Sequence, residues 1–180
     1  TTLSTNAATS GVTLINGVNN ALPVTTVLRL LATSGTTTFG KYQLNGFSQE
    51  VAGLEASVAA NTLNSIVGGS ATPSTLTVNN SGDYTFAGQL GNTGTNENNL
   101  ALIKSGNGTL TLSGANTFGG ATLVSAGTLT ASAGALGGTS GITVNGATLT
   151  AADYNAAATL ALDASGTATL SGTGLNISGA

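Results

Sequence analysis

Short apolar runs recur along the second half of the chain, and within each run apolar and polar residues alternate with a period of two. In TLTL (109–112) this alternation predicts a strand with Leu110 and Leu112 buried and Thr109 and Thr111 facing outward. Glycine-containing turns such as SGNG and SGAN separate the runs, because glycine accepts the positive φ values of tight corners. Comparable runs occur at 100–103, 121–124, 127–131, 142–144, 147–151, 158–162 and 167–170.

The runs recur at a nearly constant interval. Leu110, Leu129, Leu149 and Leu170 are separated by steps of 19, 20 and 21 residues. An antiparallel sandwich also contains many short strands with turns. A constant step favours a β-solenoid, in which each strand pairs with its equivalent one coil away. We therefore predict an all-β fold, a parallel β-helix of about nine coils of roughly 20 residues, forming one domain over 1–180.

The first half of the chain, 1–99, is less regular, but its sequence also predicts short strands separated by turns. The segment 49–63 has residues that favour a helix, so a short helical turn is an alternative there. The polar segment 93–99 is predicted to be a protruding loop. Strand–turn units are predicted at 11–17, 25–31, 42–54, 64–69 and 74–90.

Charged residues are rare, and this excludes several classes of partner. The chain has three basic and six acidic residues and a net charge of −3. We expect no nucleic-acid partner, because phosphate binding needs clustered Lys and Arg. We expect no membrane insertion, because no run approaches the roughly 18 apolar residues of a spanning helix. The chain has no cysteine, which rules out disulfides and thiolate metal sites.

The acidic residues do not form an evident catalytic or metal site. None of them are adjacent, and the chain has no histidine for acid–base catalysis. We expect no enzyme activity, no cofactor and no metal, and interpret the acids as solvated corners. The aromatic residues Tyr42, Tyr84, Tyr154 and Phe118 are expected to pack against the core rather than form a sugar-stacking strip. The acids are Glu50, Glu55, Asp83, Glu97, Asp153 and Asp163.

The segment LALIKSGNGTLTLSGANTFGGATLVSAGTL (100–129) resembles a known family, the autotransporter-associated β-strand repeat, also called the passenger-associated transport repeat. The resemblance implies a right-handed parallel β-helix in a secreted or surface-displayed bacterial protein, with the repeat acting as scaffold. A looser resemblance extends upstream to about residue 42. The main resemblance is carried by Leu102, Lys104, Gly106, Gly108, Thr109, Leu110, Leu112, Ser113, Gly114, Asn116, Thr117, Phe118, Gly119, Gly120, Ala126, Gly127, Thr128 and Leu129.

Three features of this region have specific interpretations. Lys104 is interpreted as a solvent-facing charge that discourages unwanted pairing at a strand edge. Asn116 is a candidate for an amide stack at a turn. Paired threonines at a step of about 20 residues form a candidate flat binding face, although threonine also simply favours exposed strand positions. These pairs are Thr109 and Thr111, Thr128 and Thr130, and Thr148 and Thr150.

Together these features predict a non-enzymatic, extracellular or cell-surface bacterial protein. The chain has no methionine, and we favour a terminus generated by removal of a signal peptide. Neither end shows a capping helix, so we expect subunits to stack head to tail into a filament or to form part of a rod-like passenger. The alternative is an adhesin or binding module that uses the Thr/Asn-rich face on a glycan, a surface or ice.

Overall fold

In the computed structural model, residues 2–5, 11–32, 39–56, 64–152 and 158–171 are described, and none of them forms a helix. The strands are β1 (Thr2–Thr5), β2 (Val12–Ile15), β3 (Val27–Ala32), β4 (Gly40–Gln43), β5 (Ser48–Val51), β6 (Gly53–Glu55), β7 (Ser65–Val67), β8 (Ser74–Asn79), β9 (Tyr84–Phe86), β10 (Gln89–Leu90), β11 (Leu100–Ser105), β12 (Thr109–Leu112), β13 (Thr122–Val124), β14 (Thr128–Ala131), β15 (Gly141–Val144), β16 (Thr148–Ala151), β17 (Thr159–Leu162) and β18 (Thr167–Leu170).

The strands stack into three faces, and each described strand pair is parallel. Face 1 consists of β2, β4, β7 and β10, and face 2 of β5, β8, β11, β13, β15 and β17. Face 3 consists of β9, β12, β14, β16 and β18, and a bridge between Ala56 and Phe86 connects it to a sheet of β1, β3 and β6. Parallel pairing between successive coils confirms the predicted β-solenoid and excludes the antiparallel sandwich.

The number of coils differs from the prediction. The longest sheet has six strands, which corresponds to about five turns rather than nine. Glu50 pairs with Thr77 and Thr77 with Ile103, so these early steps are 27 and 26 residues long. Ile103 pairs with Leu123, and Leu123 with Thr143, at the predicted step of 20. The count of nine was wrong because it extended the later step to the longer early coils.

Aliphatic side chains from successive coils stack inside the solenoid. In β12 the alternation of half-buried threonines and buried leucines confirms the prediction for TLTL. Leu110 pairs with Leu129 and Leu129 with Leu149, but the next position is Ala168 rather than Leu170. Leu170 instead pairs with Ala151, so the predicted leucine ladder is wrong at its last step. Each fully buried leucine contributes roughly 1.5–3 kcal/mol to folding.

Two segments of the first half received specific predictions, an alternative helical turn in 49–63 and a protruding loop at 93–99. The start of 49–63 forms β5 and β6 rather than a helical turn, and positions 57–63 lie outside the described residues. The segment 93–99 is a loop, as predicted, and most of it is exposed, but it also contacts face 1. Its Glu97 carboxylate pairs with Lys41, and its backbone carbonyls accept hydrogen bonds from Gly68 and Gly69, so it packs against face 1.

Glycines allow successive corners to approach closely. Gly106 has φ of 77°, and a Cβ atom there would lie 2.4 Å from the carbonyl oxygen of Asn80 in the preceding coil. Gly127 has φ of 63°, and its Cβ would lie 2.5 Å from the carbonyl oxygen of Gly106. A residue with a side chain would be strained and would push the coils apart at both positions. The spacing between coils at this corner therefore depends on glycine.

Candidate functional site

Face 3 carries two ranks of threonines that are in register across successive coils. The first rank consists of Thr109, Thr128, Thr148 and Thr167. The six threonines predicted from sequence all lie in these two ranks, and the structure adds Thr85, Thr167 and Thr169. The sequence pattern aligned Leu170 with Leu149, two residues away from the true partner Ala168. For this reason the two threonines of the last coil were not predicted. The second rank consists of Thr85, Thr111, Thr130, Thr150 and Thr169.

The geometry of parallel strands makes this surface, which we call the threonine face, a regular array. Neighbouring threonines are separated by about 4.8 Å between strands and by about 6.7 Å along a strand, from i to i+2. All these threonines are half-buried or exposed. None of β12, β14, β16 and β18 contains a charged residue. The face therefore repeats hydroxyl and methyl groups in two dimensions without a strong electrostatic field.

Lys104 lies inside the solenoid, so its interpretation as a solvent-facing charge is wrong. The residue has no exposed surface, and its Nζ donates hydrogen bonds to the carbonyl oxygens of Ser105 (2.9 Å), Gly106 (2.8 Å) and Ala126 (3.2 Å). These acceptors use all three donors of the ammonium group and lie in the corners of two successive coils. Burial lowers the pKa of Lys104 to about 8. The lysine thus joins two corners from within.

Asn116 also connects coils, but through the backbone rather than through a stack of amides. Its Oδ1 accepts a hydrogen bond from the backbone N–H of Leu90 at 2.8 Å. Its Nδ2 donates to the carbonyl oxygen of Ala135, also at 2.8 Å. Leu90 belongs to the preceding coil and Ala135 to the following one. The side chain therefore supplies backbone hydrogen bonds where the chain at 115–119 forms no strand.

The glycines and apolar residues that carry the resemblance lie at corners and in the core. Gly108 and Gly114 lie at corners where a Cβ atom would contact a glycine carbonyl oxygen of the preceding coil, at 2.2 and 2.1 Å. Phe118 is fully buried and packs in the core, as do Leu110, Leu112 and Leu129. These positions explain why glycine and apolar residues are needed there.

The acidic residues have different surroundings from one another. The backbone N–H of Thr109 donates to Asp83 and lowers the pKa of that carboxyl, and Gly146 does the same for Asp163. Glu50 accepts a hydrogen bond from Asn79. The structure brings Glu55 and Asp83 to a common cleft, which their sequence separation did not indicate. Asp153 lies outside the described residues.

Metal sites, membrane-spanning helices and the aromatic residues were also the subject of predictions. Within the described ranges, no group of three or more His, Cys, Asp or Glu residues could hold a metal ion. The same part of the chain contains no helix that is long and apolar enough to span a membrane. Among the aromatic residues, Tyr42 is fully buried, Tyr84 is half-buried, and Tyr154 lies outside the described residues.

Comparison with known proteins gives one match. Residues 102–131 match the model of the passenger-associated-transport-repeat family. The match confirms the resemblance of this segment. The repeat begins within β11 and ends with β14, so it includes two strands of face 2, two strands of face 3 and the corners that Lys104 joins. No curated protein and no solved structure matches the chain.

Proposed function

We propose that this chain is a structural segment of a secreted or surface-displayed rod, and that its described part acts as scaffold rather than as a catalyst. The observation that carries the proposal is the parallel stacking of coils around an aliphatic interior, with the passenger-associated-transport-repeat at its centre. Such a solenoid is stabilised by contacts between neighbouring coils, and it can therefore be extended by further coils.

Apolar side chains on the outermost described strands support head-to-tail stacking of subunits. Leu162 in β17 pairs with the buried Val144 and so lies in an inward-facing rank, yet half of its surface is exposed. At the opposite end, Val12 in β2 pairs with the buried Gly40 and is 44% exposed. These aliphatic side chains and the adjacent strand edges match what another coil would cover. A second copy that supplies this coil would form a heterologous contact that propagates without closing.

A concentration series of the purified protein tests the filament. We expect light scattering to increase with protein concentration and negative-stain microscopy to show rods of increasing length. Leu162→Lys and Val12→Lys should each shorten the rods, because a charge would be buried at the junction. Thr143→Lys, on the outward side of face 2, is the matched control. Short dispersed rods at every concentration would refute the filament.

We propose the threonine face as a second candidate function, binding to an ordered surface such as ice. The observation that favours it is the two-dimensional register of uncharged threonines across successive coils. We expect the protein to shape growing ice crystals. Replacing Thr111, Thr130 and Thr150 by Tyr should abolish shaping, whereas Thr75→Tyr on face 2 should not. Ice crystals of unaltered shape with the unsubstituted protein would reject this candidate.

A further inference from the structure

A cleft opens where the threonine ranks meet the preceding coils, between β6 and β9. Its volume is about 510 Å³, within the range of small-ligand sites. The cleft combines an aromatic ring, two carboxylates, a guanidinium group and two hydroxyl groups, from residues that are far apart in sequence. The lining residues that carry these groups are Tyr84, Glu55, Asp83, Arg29, Thr85 and Ser113.

The ring of Tyr84 forms a fixed platform in this cleft. A Cβ atom at Gly53 would lie 2.6 Å from Cζ of Tyr84, so the ring packs directly over the backbone of Gly53. Tyr84 is half-buried, packs partly against the hydrophobic core and is one of the residues that line the cleft. The absence of a side chain at Gly53 in β6 thus leaves room for the ring to pack against the adjacent coil. An aromatic ring fixed in this way offers an apolar surface at low entropic cost to a ligand.

The polar groups around the ring are also held in position. Asp83 Oδ1 accepts a hydrogen bond from the backbone N–H of Thr109 at 2.8 Å, and this contact lowers the pKa of Asp83. Arg29 Nε donates to Glu55 Oε2 at 2.7 Å, and both side chains remain partly exposed. Thr85 and Ser113 are exposed. The cleft therefore offers hydrogen-bond acceptors, donors and hydroxyl groups beside one apolar ring.

We propose that this cleft binds one pyranose residue of an uncharged glycan. The C–H face of a sugar ring would stack on Tyr84, and its hydroxyl groups would donate to Asp83 and Glu55 and accept from Arg29. The two carboxylates disfavour an anionic ligand, and the guanidinium group disfavours a bare cation. The proposal goes beyond the scaffold role.

The test is a titration of the isotope-labelled protein with three neutral oligosaccharides: cellohexaose, mannohexaose and the hexamer of N-acetylglucosamine. We expect at least one of them to produce saturable amide shifts that centre on Thr85 and Ser113. Tyr84→Ala and Asp83→Asn should each weaken binding by about tenfold, which corresponds to the loss of one strong contact. Tyr84→Phe keeps the ring and should bind nearly as well as the unsubstituted protein. Asp83→Asn keeps an oxygen for Thr109 and so should retain the fold.

The control variant is Thr143→Ala on face 2, for which we expect unchanged binding. Thermal unfolding of each variant separates loss of the cleft from loss of the fold, because Tyr84→Phe and Thr143→Ala should melt near the unsubstituted protein. The proposal is overturned if none of the three sugars produces saturable shifts. It is also overturned if shifts centre on the threonines of β12, β14, β16 and β18, or if folded Tyr84→Ala binds as tightly as Tyr84→Phe.

Discussion

The side chain of Asn116 is predicted to be one of the strongest links between coils of this solenoid. It is 6% exposed and bonds the backbone of Leu90 in one coil and of Ala135 in another, both of which are fully buried. Asn116→Ala would leave a buried N–H and a buried C=O without this partner. Each unpaired group costs about 1–3 kcal/mol, so the free energy of unfolding should fall by about 2–6 kcal/mol.

Urea unfolding followed by circular dichroism measures this loss. Asn107→Ala is the matched control, because Asn107 is exposed at the neighbouring corner, and we expect a change within about 0.5 kcal/mol. Asn116→Leu keeps much of the side-chain volume but makes neither hydrogen bond, so it should be destabilised about as much as Asn116→Ala. Hydrogen exchange at the Leu90 amide should accelerate in both variants. If Asn116→Ala were no less stable than Asn107→Ala, the proposed backbone link would be refuted.

Two further predictions concern pH and the glycine corners. Because the pKa of Lys104 is lowered from 10.5 to about 8, the unfolded chain binds more protons between these values, and stability should rise with pH from about 8 to about 10. The rise should be about 2–3 kcal/mol. Tyr42 has the opposite shift, because its pKa is raised from 10.0 to about 12, so stability should fall again above pH 10. Urea unfolding midpoints measured across this pH range check both signs, and Lys104→Met should lack the rise. Gly106→Ala should lower the free energy of unfolding by about 1–3 kcal/mol, because Gly106 has a positive φ and an added Cβ would meet Asn80. Gly17→Ala is the control, because an added Cβ there meets no neighbouring atom. Equal melting temperatures of the two variants would contradict this prediction.

The local pattern of the sequence determined the strands and the fold class. Alternation in TLTL places Leu110 and Leu112 inside, because side chains of a strand point to opposite faces in turn. The same rule also indicated the burial of Lys104, which lies two residues after the inward Leu102 in β11. Lys104 was nevertheless predicted to face solvent, because a charged residue was assumed to be exposed. A lysine can be buried there because three carbonyl oxygens in two corners accept its hydrogen bonds.

Which distant residues meet depends on how the coils stack in three dimensions. Register between coils depends on the length of every intervening loop, and the early coils are longer than the later ones by six or seven residues. For this reason the sequence did not show that Glu55 and Asp83 share a cleft, or that Thr167 and Thr169 continue the threonine ranks. The period of two within each strand can be seen in the sequence, and it predicts which side chains of a coil point inward. The stacking of coils of unequal length determined which side chains are brought together on the surface.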